Sequence, residues 1–300
     1  MLCPMNLVIE NLSKRYPNGV QALKDVTLTV GPGMFGLLGP NGAGKSTLMR
    51  TLATLQDPDS GSVRLGDIDL LSDKHAVRKV LGYLPQEFGV YPKVRAIDLL
   101  DHLGRLKGLA DRALRHETVE AMLHRTNLWD ARHRALGTFS GGMKQRFGIA
   151  QALIGDPRLL IVDEPTAGLD PEERVRFHDL LSEISQSVIV ILSTHIVSDV
   201  SDLCSQMAIM HQGQLRLVQE PNAAIAGLRG RLWERVVDRT DLARMAAALP
   251  VISTRLVGGR TRVRVLADGA PENGFTIAEP ELEDVYFAVR RGLGSVAKAA

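Results

Sequence analysis

Gly39-Pro40-Asn41-Gly42-Ala43-Gly44-Lys45-Ser46-Thr47 lies between the apolar run Met34 to Leu38 and the amphipathic run Leu48 to Leu55. The order is that of a strand, a glycine-rich turn and the start of a helix, with one lysine where the turn meets the helix. Glycines let successive backbone N–H groups point inward at a polyphosphate, which also sits at the positive end of the following helix dipole. Lys45 adds a point charge for the outer phosphates, and the Ser46 hydroxyl is placed to ligate Mg²⁺.

The surrounding chain supports an α/β core. Leu159 to Val162 and Val188 to Leu192 are continuous apolar runs of strand length. Runs without alternation suit strands buried on both faces of a parallel sheet, where ligands gather at the carboxyl ends. An amphipathic helix carrying Val175, Leu180, Leu181 and Ile184 is predicted between them. Ahead of the glycine-rich turn, Leu7 to Leu12 and Ala22 to Val30 read as antiparallel strands joined by the turn Tyr16-Pro17-Asn18-Gly19, and Val63 to Leu70 as a short hairpin about Gly66-Asp67. From Ile97 to Arg134 the period becomes helical, with Ile97, Leu100, Leu103 and Leu106 on one expected face. After about Leu217 the texture changes to an expected α+β appendage. Its parts are a strand from Arg231 to Val237, a helix from Leu242 to Leu249, a hairpin from Arg255 to Leu266 turned at Gly258-Gly259, and a closing helix with Pro280 near its first turn.

Composition narrows the classes. Three hundred residues with 45% hydrophobic content can bury a sizeable core. The 36 basic residues nearly balance 34 acidic ones, which gives no global reason to expect a nucleic-acid partner. Cys3 and Cys204 are far apart, match no metal spacing and build no disulfide framework, so a reducing cytoplasm is expected. Met1 to Glu10 has no basic region ahead of an apolar core, and no apolar run reaches the roughly 18 residues of a membrane span. If the chain works at a membrane, another polypeptide is expected to supply the spans.

The turn at Gly39 to Thr47 has the spacing of the phosphate-binding loop known as Walker A. At the end of the apolar run Leu159 to Val162 stand Asp163 and Glu164. Asp163 is placed to hold Mg²⁺ and Glu164 to act as general base toward the outer phosphate. Between these elements lies Phe139-Ser140-Gly141-Gly142-Met143, with Ser140 as the expected N-cap of a helix. This order of Walker A, serine-glycine-glycine and Asp-Glu strand closely resembles the ATP-binding cassette (ABC) ATPases. Ser140, Gly141 and Gly142 match the family's signature motif, whereas Phe139 and Met143 stand where leucine and glutamine are commonest.

The resemblance covers about Leu7 to Gln219. It implies a P-loop NTPase cassette with a RecA-like parallel-sheet core, an antiparallel β subdomain and a helical subdomain at about 90–150. Residues 220–300 are left as a small C-terminal α+β domain. It implies that Tyr16 stacks on adenine, that Gln86 senses Mg²⁺ and the attacking water, that Ala167-Gly168-Leu169-Asp170 crosses a dimer interface, and that His195 contacts the γ-phosphate. Without the resemblance Gln86 reads as a loop glutamine, Tyr16 as a turn residue and His195 as structural. The implied ligands are ATP, cradled by Gly39, Pro40, Asn41, Gly42, Ala43, Gly44, Lys45, Ser46 and Thr47, and Mg²⁺, held by Ser46, Gln86 and Asp163. Ser140, Gly141, Gly142 and Asp170 are expected to act in trans, so the implied partners are a second cassette and a separate membrane permease. The implied location is the cytoplasmic face of the inner membrane. The closing helix Pro280-Glu281-Leu282-Glu283-Asp284-Val285-Tyr286 is most like that of bacterial exporters of the ABC-2 type. An importer ATPase and a soluble ABC ATPase acting on a non-membrane partner are the alternatives.

Overall fold

The computed structural model describes residues 5–86, 89, 91–166, 169–271 and 274–293. Cys3, Ala167 and Gly168 lie outside the described residues.

Strands β1 (Leu7–Arg15) and β2 (Gln21–Val30) form an antiparallel pair around the predicted turn, and β3 (Gly33–Leu38) follows at once. The glycine-rich turn then enters α1 (Lys45–Leu52). The hairpin β4 (Ser60–Leu65) and β5 (Ile68–Asp69) completes the first sheet, in the order β2-β1-β4-β5. Helix α2 (Lys74–Val80), capped by the Asp73 carboxylate, leads into β6 (Leu81–Leu84).

The helical region is α3 (Ala96–Leu106), α4 (Arg112–Arg125) and α5 (Gly141–Leu153). They enclose their own apolar cluster, which includes Leu99, Leu100, Val119, Leu123, Phe139 and Phe147. The expected face of α3 is kept in part: Leu100 is buried and Ile97 and Leu103 pack on this cluster, whereas Leu106 is 72% exposed, and Ala96, Leu99 and Gly104 also turn inward. Gly104 does so because Arg115, which is buried and bonded to Asp101, crosses directly over it.

β7 (Leu159–Asp163), α6 (Pro171–Ser185) and β8 (Ile189–Thr194) follow as predicted, and every residue of β7 and β8 is buried. On α6 Val175 is 60% exposed, and Phe177 takes the inward position beside Leu180, Leu181 and Ile184. Then come α7 (Val197–Leu203), β9 (Gln206–His211) and β10 (Gln214–Gln219). The central sheet has the order β10-β9-β3-β8-β7-β6. All its neighbours run parallel except the edge strand β10, which returns antiparallel to β9. Gly36 at the middle of β3 is dictated by this packing: a Cβ there would come within 2.7 Å of the Val200 side chain and 3.1 Å of Cys204 Sγ, both on the α7 side.

The C-terminal region comprises α8 (Pro221–Ala226), β11 (Leu232–Val237), α9 (Arg239–Ala248), β12 (Val251–Val257), β13 (Arg260–Leu266), β14 (Thr276–Ile277) and α10 (Leu282–Arg290). Its sheet has the order β12-β13-β11-β14, all antiparallel. Pro280 stands just outside α10 instead of in its first turn, which is closed by a reciprocal Glu281–Asp284 capping box. Val263 and Val265 face one side of β13. On the other, Arg264 is covered and bonded to Asp284 and Glu234.

One apolar cluster runs from the central sheet into this region, joining Leu160, Val190, Leu192 and Val200 to Leu228, Leu232, Ile252, Leu282, Val285 and Val289. Helix α10 packs on α7, α8 and β12. Leu282→Ala is therefore expected to lower the unfolding free energy of the whole chain by about 2–5 kcal/mol. Chemical denaturation followed by fluorescence should show a single shifted transition. An early transition confined to the C-terminal region, with the rest unshifted, would contradict the shared core.

Candidate functional site

The parallel register sets the site. Leu38 pairs with Thr194, Asp163 with Ser193 and Leu84 with Val162. Four strands therefore end at one edge of the sheet, and the residues that follow them are Gly39, His195, Glu164 and, two positions on, Gln86. A cavity of about 680 Å³ opens there, lined by Tyr16, Pro40 to Thr47, Gln86, Glu164 and His195. That volume suits a nucleotide-sized ligand.

Within the turn, Gly42 and Gly44 take positive φ values of 78° and 111°, the conformation that turns their N–H groups into the concavity. A Cβ on Gly44 would meet the Ala22 carbonyl at 2.3 Å, and one on Gly39 the Met210 carbonyl at 2.6 Å, so both are fixed sterically as well. Lys45 is buried. Its Nζ donates to the Gly39 carbonyl at 2.6 Å and lies 3.6 Å from Glu164 Oε1. Ser46 is exposed at the start of α1.

Glu164 is buried and has φ of 50°, a left-handed backbone that costs a non-glycine residue about 1–3 kcal/mol. Its N–H donates to the Ser193 carbonyl at 2.8 Å, and its Oε2 lies 2.5 Å from His195 Nδ1. The strained turn aims the carboxylate across the strand ends at the histidine, which is itself exposed to the cavity.

Asp163 is buried, and burial pushes its carboxyl above the usual range, with the neighbouring Glu164 charge adding to the effect. Its Oδ1 is buried with no hydrogen-bond partner among the described residues. An unpartnered carboxylate oxygen beside a phosphate-binding turn has the chemistry of a hard-cation ligand, so the residues fit Mg²⁺. Asp163 does not itself line the cavity wall, whereas Ser46 and Gln86 do.

Tyr16 leans on the start of α1, its hydroxyl 3.2 Å from Thr47 Oγ1 and donating to Gln56 Oε1 at 3.1 Å. Gln56 in turn donates to the Thr47 carbonyl. Gln56, Lys24 and Gln212 are site residues that sequence reasoning passed over. Gln56 follows the amphipathic run without any motif of its own, and Gln212 reaches the cavity from the β9–β10 turn.

Ser140, Gly141, Gly142 and Asp170 do not line this cavity. Ser140 caps α5 through Met143 N at 3.2 Å, and Asp170 caps α6 through Glu173 N at 2.9 Å. A Cβ at Gly141 would meet nothing within 4 Å, whereas one at Gly142 would strike the Glu173 carboxylate carbon at 2.7 Å. Gly141 is thus open to its surroundings, while Gly142 is packed against α6. Of the remaining histidines, His102, His116 and His133 are exposed, His124 stacks on Trp129 at 4.4 Å, and no metal-holding cluster exists among the described residues.

Residues 23–167 match the family model described as ABC transporter. "Uncharacterized ABC transporter ATP-binding protein YxlF" of Bacillus subtilis is 40% identical over 70% of this chain and 69% of its own length. The chain belongs to the ABC transporter ATP-binding proteins. It is an ABC ATPase cassette. "Probable multidrug ABC transporter ATP-binding protein YbhF" of Escherichia coli is 32% identical over 96% of this chain, which spans 53% of that protein's length. "Phosphonates import ATP-binding protein PhnC 1" of Rhodopseudomonas palustris is 40% identical over 59% of this chain and 68% of its own. A solved "Structure of ATP binding subunit of ABC transporter" superposes with a TM-score of 0.67 at 27% identity, covering 73% of this chain and 92% of that one.

In this cassette Lys45 is the one basic side chain buried in the turn from Gly39 to Thr47. Lys45→Ala is expected to weaken ATP binding by about tenfold to a hundredfold, the range of a lost hydrogen bond to a charged group. Titration with a fluorescent nucleotide checks this, and near-normal affinity would remove the phosphate-binding assignment.

Proposed function

We propose that the chain is the ATP-hydrolysing subunit of a membrane exporter, working as a dimer of cassettes on a separate permease. The observation that carries this reading is the cluster Lys45, Glu164 and His195 at one edge of the sheet, with Glu164 Oε2 2.5 Å from His195 Nδ1. A buried carboxylate held between a lysine and a histidine is placed to accept a proton from water attacking a γ-phosphate. The histidine and the lysine are placed to stabilise the charge that develops on the phosphate. Tyr16 would face the adenine and the N–H groups of the turn the phosphates. Ser46, Gln86 and Asp163 would hold Mg²⁺, which when bound neutralises charge on the β- and γ-phosphates.

The site needs a second cassette on this reading. Gly141 has open space where a Cβ would stand and is absent from the cavity wall, so Ser140, Gly141, Gly142 and Asp170 of another cassette would cover the nucleotide. Closing and opening of that dimer is the stroke delivered to the permease. No helix among the described residues is long and apolar enough to cross a membrane, which fits spans supplied by another chain at the cytoplasmic face of the inner membrane. The balanced charge gives no support to a nucleic-acid partner.

Export is favoured over import because the similarity to the multidrug protein runs through nearly the whole chain, C-terminal region included. The phosphonate import protein matches only 59% of it. Import remains the second reading, since identity within that shorter match is 40%.

Glu164→Gln is expected to bind ATP yet hydrolyse it about 10²–10⁴-fold more slowly, as for a lost general base. In sedimentation it should form an ATP-dependent dimer. Undiminished turnover would remove Glu164 as the base, and a persistent monomer at high concentration would count against composite sites.

A further inference from the structure

Asp199 has no role in the chemistry above, yet three side chains converge on its carboxylate. It lies in the first turn of α7 with 0% exposure. Burying a carboxylate is costly unless every lone pair is met. Here Thr166 Oγ1 donates to Oδ2 at 2.6 Å, and Arg174 donates to Oδ1 through Nε at 2.9 Å. Arg174 Nη2 also lies 2.6 Å from Oδ1, and His178 Nε2 lies 3.0 Å from it. None of these four residues lines the nucleotide cavity.

The partners belong to separate elements that each carry part of the site. Thr166 stands two residues beyond Glu164, and α7 begins two residues beyond His195. Arg174 and His178 lie on α6, whose N-cap is Asp170. The neighbouring Glu173 turns the other way: its Oε2 lies 3.2 Å from Arg146 Nε on α5, and its carboxylate fills the space beside Gly142. The first turns of α6 are therefore bonded on one side to the helix behind the signature glycines, and on the other, through Asp199, to the segments holding Glu164 and His195.

We infer that Asp199 is a positioning residue for ATP hydrolysis. By clamping Thr166, Arg174 and His178 together, it keeps the Glu164–His195 pair in register with the elements that meet a second cassette. Each partner lies 21 to 33 residues away in the chain, so the clamp fixes tertiary geometry and is not a local cap. The inference rests on the composite-site reading for its dimer arm and on the cis geometry alone for its turnover arm.

The test compares Asp199→Asn with Thr166→Val and Arg174→Gln in the full-length chain, with turnover expressed per nucleotide-binding site counted by equilibrium titration. Each variant is expected to bind ATP within about twofold of the parent while kcat per site falls about tenfold to a hundredfold, the effect of a small misplacement of catalytic groups. Asp199→Asn combined with Thr166→Val should fall no further than the worse single variant, because both cut one link. In the Glu164→Gln background, Asp199→Asn should weaken ATP-dependent dimerisation. An unchanged kcat per site, or one lowered only as far as binding sites are lost, overturns the positioning role. Full additivity of the pair does the same. If Asp199→Asn does not fold, the Thr166 and Arg174 variants decide by the same readout. Failure of Glu164→Gln itself to dimerise bears on the composite site alone and leaves kcat per site to judge Asp199.

Discussion

The parallel hydrogen-bonded register of β3, β8, β7 and β6 is the constraint on which the site depends. Because the four strands point the same way and are paired level, Leu38 with Thr194 and Asp163 with Ser193, the residues that leave their carboxyl ends emerge side by side. Reversing one six-residue strand would carry its terminal residue to the far edge, about 20 Å away. The turn at Gly39 to Thr47, Glu164 and His195 are distant in sequence, and only this pairing makes them one surface. Full burial of β7 and β8 holds the register, since slipping it would leave strongly apolar runs misaligned with the helices that cover them.

What was legible in the sequence was what is written locally. The glycine spacing before Lys45, the two carboxylates after an apolar run and the serine-glycine-glycine cap each fit within ten residues, and the fold places them as expected. The core strands at Met34 to Leu38, Leu159 to Val162 and Val188 to Leu192 were equally readable, because runs without alternation mean burial on both faces. Features that depend on remote packing were hidden. Nothing local announces that Glu164 takes a left-handed backbone, that Asp199 gathers partners from two other elements, or that Gln56 braces Tyr16. The helix faces are legible in part for a related reason: Leu106 and Val175 fit an apolar stripe by spacing, yet both are exposed, because spacing alone does not show which end of a face a neighbouring element covers.

The C-terminal region shows the same contrast. Its strands and helices were visible as a change of texture, which suggested a separate appendage. The apolar cluster that continues from Leu192 and Val200 to Leu282 and Val285 was not visible, because it is assembled from contacts more than eighty residues apart. α10 lies on α7, and α7 begins just after His195, so two packed helices separate the C-terminal sheet from the cavity edge of the central sheet. Apolar packing and the Arg264–Asp284 and Arg255–Glu283 pairs lie between that sheet and α10.

Gly36 bears on how variation in such a protein is to be interpreted. It touches no phosphate and stands in the middle of a strand, yet the absence of a side chain there is what lets α7 lie flush against β3. A single added methyl group would meet the side chains of Val200 and Cys204, which hold the helix carrying Asp199 against the strand, and one of the two sides would have to give way. An alanine at this position would thus disturb the seat of the helix that follows His195 without touching the cavity, its physical origin being a packing collision. The boundary between core and active site is, at this glycine, one carbon atom wide.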